Sequence, residues 1–248
     1  MDCVAILVGR KGSKGLPGKN TMEICGRPIS HYPMMAASNS KYVSDIFLST
    51  DDQALKNEAE IFNVQVIDRP EELCTDTAKL DDALFHGYRA IIERLARTPD
   101  IVVVLMCNAP TVSSELIDSG IEALINDPEA DSAVTVSKLN MYSPLRARKL
   151  DPNGYLEPFI SFEKFADPST LSSDRDSQGD VFFANMSHCV SRSRALDDIA
   201  DGLLPQRWMG KKIIPVYQTY GCDIDFEWQV EASKWWLAKN GLCKTFTE

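Results

Sequence analysis

Two patterns of apolar and polar positions follow each other along the chain. Continuous apolar runs, typical of strands buried on both faces, occur at Cys3–Val8 and Ile101–Met106. Apolar residues spaced three or four positions apart indicate helices between such runs. Further strands are predicted at 46–49, 64–67, 132–137, 181–187 and 212–217, and helices at 29–39, 53–62, 76–96 with Asp76 as N-cap, 113–125 and 226–240. This βαβα order predicts an α/β fold with a mainly parallel sheet and helices on both faces.

The second half of the chain is less regular. Asp151-Pro152-Asn153-Gly154 predicts a turn between two extended segments. Residues 158–180 are polar and rich in Ser and Asp, which indicates a flexible loop or an arm that reaches a partner subunit. We therefore expect a single domain over residues 1–248 with a smaller extension in its second half.

A glycine-rich basic loop follows the first predicted strand. Its sequence is Gly9-Arg10-Lys11-Gly12-Ser13-Lys14-Gly15-Leu16-Pro17-Gly18-Lys19-Asn20. Glycine allows sharp bends that expose backbone N–H groups, and Arg and Lys supply charge for a polyphosphate. The spacing fits neither a Walker A loop nor the dinucleotide fingerprint. Because ligands bind beyond the carboxyl ends of parallel strands, we expect this loop, Asp51 and Asn108 to share one rim.

Composition narrows the choice of ligand. The chain of 248 residues has 36 Asp and Glu against 26 Lys and Arg, a net charge of −10. An acidic chain is a poor general partner for nucleic acid or an anionic membrane, so the basic loop favours a small anionic ligand. No apolar run is long enough for a bilayer, and the opening residues lack a signal-peptide pattern, which predicts a cytoplasmic protein. The seven cysteines form no CxxC pair and no metal-ligand spacing, so we expect reduced, mostly buried thiols.

The basic loop closely resembles the signature loop of the CMP-sialic acid synthetases (acylneuraminate cytidylyltransferases). Further segments resemble motifs of that family in the family's order: Leu48-Ser49-Thr50-Asp51, Arg69-Pro70-Glu71-Glu72-Leu73-Cys74-Thr75-Asp76-Thr77-Ala78, and Asp223-Ile224-Asp225. The resemblance runs through most of the chain and is strongest before residue 80.

This resemblance implies a Rossmann-like fold, a homodimer, and dependence on CTP and Mg²⁺. The implied reaction transfers CMP from CTP to the anomeric hydroxyl of a sialic-acid-like (nonulosonic) or related sugar acid and releases pyrophosphate. Arg10 and Lys19 would grip the triphosphate and act in catalysis, and Asn20 and Arg69 would help to read the nucleoside. The implied CTP-binding residues are Arg10, Gly12, Ser13, Lys14, Lys19, Asn20 and Arg69.

Asp223 and Asp225 are candidate catalytic and metal-binding residues. In an extended segment both side chains point to one face and Ile224 points into the fold. Two carboxylates there can hold Mg²⁺ together with substrate phosphates and water. The competing interpretation is a solvated acidic turn before the terminal helix. We expect Asp225 to bind the metal directly, whereas Asp223 binds it or contacts the sugar acid or a metal-bound water. The acceptor proton would pass to a metal-bound hydroxide or to Asp223 through water.

The acceptor half departs from the family pattern. Met106 and Val112 stand where the family has Gln and Arg, and Met186 stands where it has Gly. An acceptor other than ordinary N-acetylneuraminate is therefore expected, still carrying an anionic group. The candidate acceptor-binding residues are Asn108, Arg146 and Asn185, with about 140–190 as a dimerisation and acceptor-side extension. A charged strand edge explains the basic patch around Arg146 equally well.

Three alternative functions stay open. A related nucleotidyltransferase would use another anionic acceptor, such as a 3-deoxy-octulosonate-like acid or a phosphonate. A GT-A-like glycosyltransferase would use the Asp-x-Asp motif, although that motif normally follows a central strand. A non-catalytic nucleotide-binding protein would not need an acidic pair beside a reacting phosphate.

Overall fold

The structure is a computed structural model that describes residues 1–12, 15–165 and 167–243. The strands are β1 Cys3–Val8, β2 Glu23–Ile24, β3 Arg27–Pro28, β4 Asp45–Thr50, β5 Gln65–Asp68, β6 Ile101–Met106, β7 Ser132–Lys138, β8 Arg148–Leu150, β9 Leu156–Pro158, β10 Phe182–Arg192 and β11 Ile213–Tyr217. The helices are α1 His31–Ser38, α2 Gln53–Ile61, α3 Leu80–Leu95, α4 Ser114–Asn126, α5 Ser193–Asp197 and α6 Glu227–Lys239.

The main sheet has seven strands in the order β11-β7-β10-β6-β1-β4-β5. Strand β1 pairs in parallel with β4 and β6, and β4 pairs in parallel with β5. Strand β10 runs antiparallel to β6. The predicted α/β fold with a mainly parallel, Rossmann-like sheet is confirmed. The predicted turn at 151–154 is also confirmed, because it joins β8 and β9 in a separate hairpin.

Alternate residues of β1 belong to two apolar clusters, which explains why this strand is apolar throughout. Ala5 and Leu7 pack in a cluster with residues of α1, α2 and α4. Ile6 and Val8 pack in the other cluster with residues of α3. Both faces of the central sheet are therefore covered, and the carboxyl ends of its parallel strands are left for ligands.

A third apolar cluster joins the two ends of the chain. It includes Ile24 and Tyr32 near the N-terminus and Ile224 and Trp236 near the C-terminus. The Tyr32 hydroxyl donates to the Ile24 carbonyl at 2.6 Å. The acidic segment at 223–225 is therefore held against the part of the chain that follows the basic loop.

The expectation of reduced thiols is wrong for two cysteines. Cys25 and Cys243 form a disulfide with a Cα–Cα distance of 5.6 Å. They meet because the β2–β3 hairpin and the segment after α6 pack on the same apolar cluster. Cys3, Cys74, Cys107, Cys189 and Cys222 are free thiols, and all except Cys74 are buried. Cytoplasmic location stays a prediction, and a disulfide is uncommon in that compartment.

The predicted start of α3 is also wrong. The helix begins at Leu80 with Lys79 as its N-cap. Asp76 instead accepts a hydrogen bond from Arg10, which lies far away along the chain. Helix α4 has Ser113 as its N-cap, and the Ser113 hydroxyl accepts from the Leu116 N–H at 3.3 Å.

The chain divides into two compact units, one formed by residues 1–135 and 185–248 and the other by Val136–Ala184. Inside the second unit, Asn140 donates to Asp176 at 2.8 Å and to Asp180 at 3.2 Å. The dimerisation and acceptor-side role expected of this region stays a prediction. In the described part of the chain, none of the helices combines the length and apolar character needed to cross a membrane.

Candidate functional site

A cavity of about 360 Å³ lies where β1 and β6 end, and Val8 and Met106 line it. The predicted site residues that also line it are Arg10, Gly12, Lys19, Asn20, Arg69, Asn108, Asp223 and Asp225. The fold therefore brings cations and carboxylates from three distant stretches of chain, and the amide of Asn108 from a fourth, to one place. Ser13 and Lys14 were predicted here too, but they lie outside the described residues.

The basic loop is anchored to the end of β4. The Gly9 N–H donates to the Ser49 carbonyl at 3.3 Å, and the Lys11 N–H donates to Asp51 at 2.7 Å. Asn20 donates to the Arg10 carbonyl at 3.1 Å, which ties the two ends of the loop together. A side-chain carbon at Gly9 would lie 2.8 Å from Cys107, so the loop leaves the strand too close to its neighbour for a larger residue.

The two predicted triphosphate-binding cations each contact a carboxylate. Arg10 donates to Asp76 at 2.8 Å and to the Cys74 carbonyl at 3.1 Å. Lys19 Nζ forms an ion pair with Asp225 Oδ1. A polyphosphate that binds this loop would compete with these carboxylates for the cations.

Arg69 is a buried cation that binds the same Ser49 carbonyl as the Gly9 N–H. Its Nη2 donates to the Ser49 carbonyl at 2.7 Å and its Nε donates to the Ser49 hydroxyl at 3.2 Å. Burial lowers the pKa of the Arg69 guanidinium. Because both of these Ser49 groups are neutral, an anionic or carbonyl ligand in the cavity would add favourable interactions with Arg69.

The acidic pair has the geometry expected from its spacing. Ile224 is fully buried, whereas the Asp223 and Asp225 side chains both line the cavity. The pKa of Asp223 is raised, chiefly by burial and then by the charge of Asp225. The loop passes close by, since a side-chain carbon at Gly15 would lie 3.1 Å from the Asp225 carbonyl oxygen.

The donor chemistry of this pair fits Mg²⁺. Magnesium prefers oxygen ligands and is commonly bound by one or two carboxylates plus substrate phosphates and water. A cation would also relieve the repulsion that raises the pKa of Asp223. Within the described residues, no group of three or more His, Cys, Asp or Glu is placed to hold a metal. The pair would therefore hold Mg²⁺ together with the nucleotide rather than alone.

Asn108 lines the cavity and also holds the acidic segment. Its Nδ2 donates to the Ile224 carbonyl at 3.0 Å, and its own carbonyl accepts from the Ile224 N–H at 2.8 Å. The structure thus gives Asn108 a contact with the residue between the two metal-binding candidates, which the sequence did not indicate.

The other two acceptor-binding candidates do not line this cavity. Asn185 is buried and donates to Gln218 at 3.1 Å. Arg146 belongs to the Val136–Ala184 unit, where it donates to the Ser173 carbonyl and lines a cavity of about 510 Å³.

Sequence reasoning missed Lys79, Asp76 and Thr111. Lys79 lines the cavity at the start of α3, and Asp76 pairs with Arg10. Asp76 lies in the segment 69–78 and Lys79 directly follows it, so the charged residues in and beside that motif could have indicated both. The Thr111 hydroxyl contacts Cys222, 111 residues away, and no local pattern indicates that pair.

A family model described as cytidylyltransferase matches residues 4–153, more than half of the chain. The matched span includes the basic loop and the segment 69–78. The chain belongs to the cytidylyltransferase family, so the resemblance found in the sequence is confirmed.

Curated relatives share about a quarter to a third of aligned residues with the chain. A 3-deoxy-manno-octulosonate cytidylyltransferase of Bdellovibrio bacteriovorus is 30% identical over 133 residues, which cover 54% of this chain and 50% of the relative. A CMP-N,N'-diacetyllegionaminic acid synthase of Legionella pneumophila is 30% identical over 161 residues, 63% of this chain and 66% of the relative. An N-acylneuraminate cytidylyltransferase of Escherichia coli is 26% identical over 186 residues, 75% of this chain and 42% of the relative. The matches thus span between 42% and 66% of the relatives' length.

Solved structures share the fold over nearly the whole chain. A CMP:2-keto-3-deoxy-manno-octonic acid synthetase complexed with CTP aligns with a TM-score of 0.65 and 16% identity, covering 97% of this chain and 100% of its own. A 4-diphosphocytidyl-2C-methyl-D-erythritol synthase from Anaerococcus prevotii aligns with a TM-score of 0.62 and 14% identity, covering 95% and 96%. At these identities the likeness concerns the fold alone.

Proposed function

We propose that this protein is a Mg²⁺-dependent cytidylyltransferase that transfers CMP from CTP to a sialic-acid-like (nonulosonic) sugar acid and releases pyrophosphate. The observation that carries the proposal is the meeting of Arg10, Lys19 and Arg69 with Asp223 and Asp225 around one cavity. Cations for the triphosphate and carboxylates for a metal are the two groups that phosphoryl-type transfer requires.

The reaction would be a direct displacement at the α-phosphorus. The anomeric oxygen of the acceptor forms the new bond to phosphorus, and the bond from phosphorus to the pyrophosphate oxygen breaks. Arg10 and Lys19 would hold the triphosphate and stabilise the negative charge that builds on the leaving pyrophosphate. Both residues act by position and charge, without covalent chemistry.

The acidic pair would serve two further needs. Asp223 and Asp225 would hold Mg²⁺, which when bound neutralises phosphate charge. Where Asp225 alone binds the metal, Asp223 would be the carboxylate left to accept the proton of the acceptor hydroxyl through water.

Space for an acceptor adjoins the first cavity. A second cavity of about 630 Å³ shares Lys79 and Leu80 with it and is also lined by Arg207. Asp81 and Asp82 line this cavity as well, so Lys79 and Arg207 are the groups that would bind an acceptor carboxylate there.

A 3-deoxy-octulosonate-like acid is the second candidate acceptor. Relatives named for it include the Bdellovibrio enzyme and several 8-amino-3,8-dideoxy-manno-octulosonate cytidylyltransferases of Shewanella. The Legionella and Escherichia relatives, named for N,N'-diacetyllegionaminic acid and for N-acylneuraminate, support the nonulosonic class.

The deciding experiment measures pyrophosphate release with each of the four nucleoside triphosphates, with and without Mg²⁺. The acceptor panel contains nonulosonic acids, octulosonic acids and phosphonates. We expect release only with CTP, Mg²⁺ and a sugar acid, and a product mass equal to the acceptor joined to CMP. Absence of CTP-dependent release with every acceptor would overturn the proposal.

We also propose that the protein forms a homodimer through the Val136–Ala184 unit. This unit exposes large apolar side chains, and Leu150 pairs with Leu156 across the β8–β9 hairpin with 68% and 71% of their surfaces exposed. Tyr155 and Phe159 beside them are 73% and 59% exposed. Contiguous apolar patches of this kind mark interaction surfaces. Light scattering should give the mass of a dimer for the wild type and of a monomer for Leu156→Glu, and a monomeric wild type would contradict this.

A further inference from the structure

Thr111, in the loop after β6, is a fully buried residue that contacts the acidic segment. Its hydroxyl oxygen accepts a hydrogen bond from the Cys222 N–H at 3.0 Å. The same oxygen lies 3.3 Å from the Cys222 carbonyl oxygen and 3.0 Å from the Ser187 hydroxyl, to either of which its proton can be donated. One side-chain oxygen therefore binds the N–H of the residue before Asp223 and lies within hydrogen-bond distance of its carbonyl oxygen.

The residue after Asp223 is fixed from the same loop. Asn108 uses its side-chain amide and its backbone carbonyl to bind the carbonyl and N–H of Ile224. Asp223 thus lies between two residues whose backbones are both bound to the segment that follows β6. Cys222 and Ile224 are buried in the third apolar cluster, and the alternating residues Asp223 and Asp225 line the cavity.

A buried polar network supports the Thr111 contact. Gln218 Nε2 donates to the Thr111 carbonyl at 2.7 Å, and Asn185 donates to Gln218 at 3.1 Å. Gly221 lies directly against this network, because a side-chain carbon there would be 2.6 Å from Gln218 Oε1. Networks whose members are all satisfied are rigid, so this one can hold a short loop in a single position.

We propose that Thr111 is a positioning residue that sets the place of Asp223 and Asp225 opposite the basic loop. It acts through the hydroxyl contact with Cys222 and touches neither substrate nor metal. This inference rests on the proposed function, because only a metal- and nucleotide-binding site makes the position of these carboxylates matter.

Thr135 supplies a matched control. It is also fully buried, and its hydroxyl accepts from the His188 N–H at 3.1 Å and donates to the His188 carbonyl at 3.0 Å. The contact has the same form as that of Thr111, but neither Thr135 nor His188 lines the cavity. A variant at Thr135 therefore reports the loss of a buried threonine hydroxyl without a change at the acidic pair.

The experiment compares Thr111→Val, Thr111→Ser and Thr135→Val with the wild type. Hydrogen exchange is followed in peptides that contain residues 220–226, Mn²⁺ binding in the presence of CTP is measured by electron paramagnetic resonance, and pyrophosphate release is measured against Mg²⁺ concentration. We expect Thr111→Val to speed exchange in 220–226, to weaken Mn²⁺ binding, and to lower kcat/KM by about 10- to 100-fold, the size expected of a small misplacement. Thr111→Ser keeps the hydroxyl and should therefore bring all three readouts to within about threefold of the wild type. A tenfold change in any of them corresponds to about 1.4 kcal/mol.

Thr135→Val should lose thermal stability but keep wild-type metal dependence. Equal metal dependence in Thr111→Val and the wild type, or an equal defect in Thr135→Val, would overturn the inference. If Thr111→Val does not fold, Thr111→Ala removes the same hydroxyl without the added methyl group. A wild type that is inactive with every acceptor would refute the proposed function, whereas the exchange and Mn²⁺ readouts would still decide the role of Thr111.

Discussion

Replacing Asp225 with Asn separates a catalytic role of this carboxylate from a structural one. The change removes the charge that pairs with Lys19 while keeping the size of the side chain. It leaves the start of α6 intact, because the contact there is made by the backbone: the Asp225 N–H donates to Gln229 Oε1 at 2.7 Å. The variant therefore tests the charge alone.

The structure sets the expected sizes of the two effects. The Asp225 side chain is 48% exposed, so its ion pair with Lys19 is screened by water. Such pairs contribute about 0–1 kcal/mol to the free energy of unfolding. For a chain of this size, that is a fall in Tm of at most about 2–4 °C. Loss of one preorganised charge at a reacting phosphate should instead lower kcat by about 100- to 1000-fold.

The assay measures pyrophosphate release at saturating CTP, with thermal unfolding of the same samples. Glu227→Gln is the matched control, because it removes an exposed charge from the first turn of α6, two residues further on. We expect that control to keep wild-type turnover. Wild-type turnover in Asp225→Asn, or the same loss in Glu227→Gln, would refute the reasoning.

Further predictions concern pH dependence and packing. The pKa of Asp223 is raised in the folded state, so the native protein holds its proton more tightly and stability falls as pH rises above about 4. Asp223→Asn should therefore raise Tm at pH 7, with a smaller gain in acid, yet abolish turnover; an unchanged Tm would contradict this. Burial lowers the pKa of His188 to about 3. The contribution of neutral His188 to the free energy of unfolding is therefore fully present above pH 6.5 and is lost as pH falls towards 3. Urea titrations should show stability falling by about 1.4 kcal/mol per pH unit there from this group, and a slope unchanged in His188→Asn would count against it. Gly9→Ala should cost about 1–3 kcal/mol of stability, because its added carbon would lie 2.8 Å from Cys107 and Leu55; a wild-type denaturant midpoint would disprove the clash.

Most of the sheet could be predicted because its physical cause is local. Strands β1 and β6 are apolar at every position, as burial on both faces requires. The start of α3 could not be predicted in the same way. Asp76 has the side chain of a helix cap, but a tertiary contact with Arg10 takes it instead. Local preference was outweighed by a charge pair that only the fold creates.

The candidate site likewise has parts that the sequence predicts and parts that it does not. The basic loop and the acidic pair were predictable, because unusual residue types at short spacing mark them in the sequence. The contacts that hold them were not predictable. Thr111 and Cys222 are 111 residues apart, and Cys25 and Cys243 are 218 residues apart. Such pairs depend on the packing of whole elements, which periodicity does not encode.

The separation of cations and carboxylates along the chain fixes when the site can form during synthesis. Asn108 and Ile224 are 116 residues apart, and Lys19 and Asp225 are 206 residues apart. A growing chain folds from its N-terminus, so the basic loop emerges from the ribosome long before its acidic partners. In that interval the nascent chain carries Lys19 without Asp225, the carboxylate that pairs with it in the folded structure. The cavity can therefore be completed only after residues 223–225 have been synthesised and packed beside the basic loop.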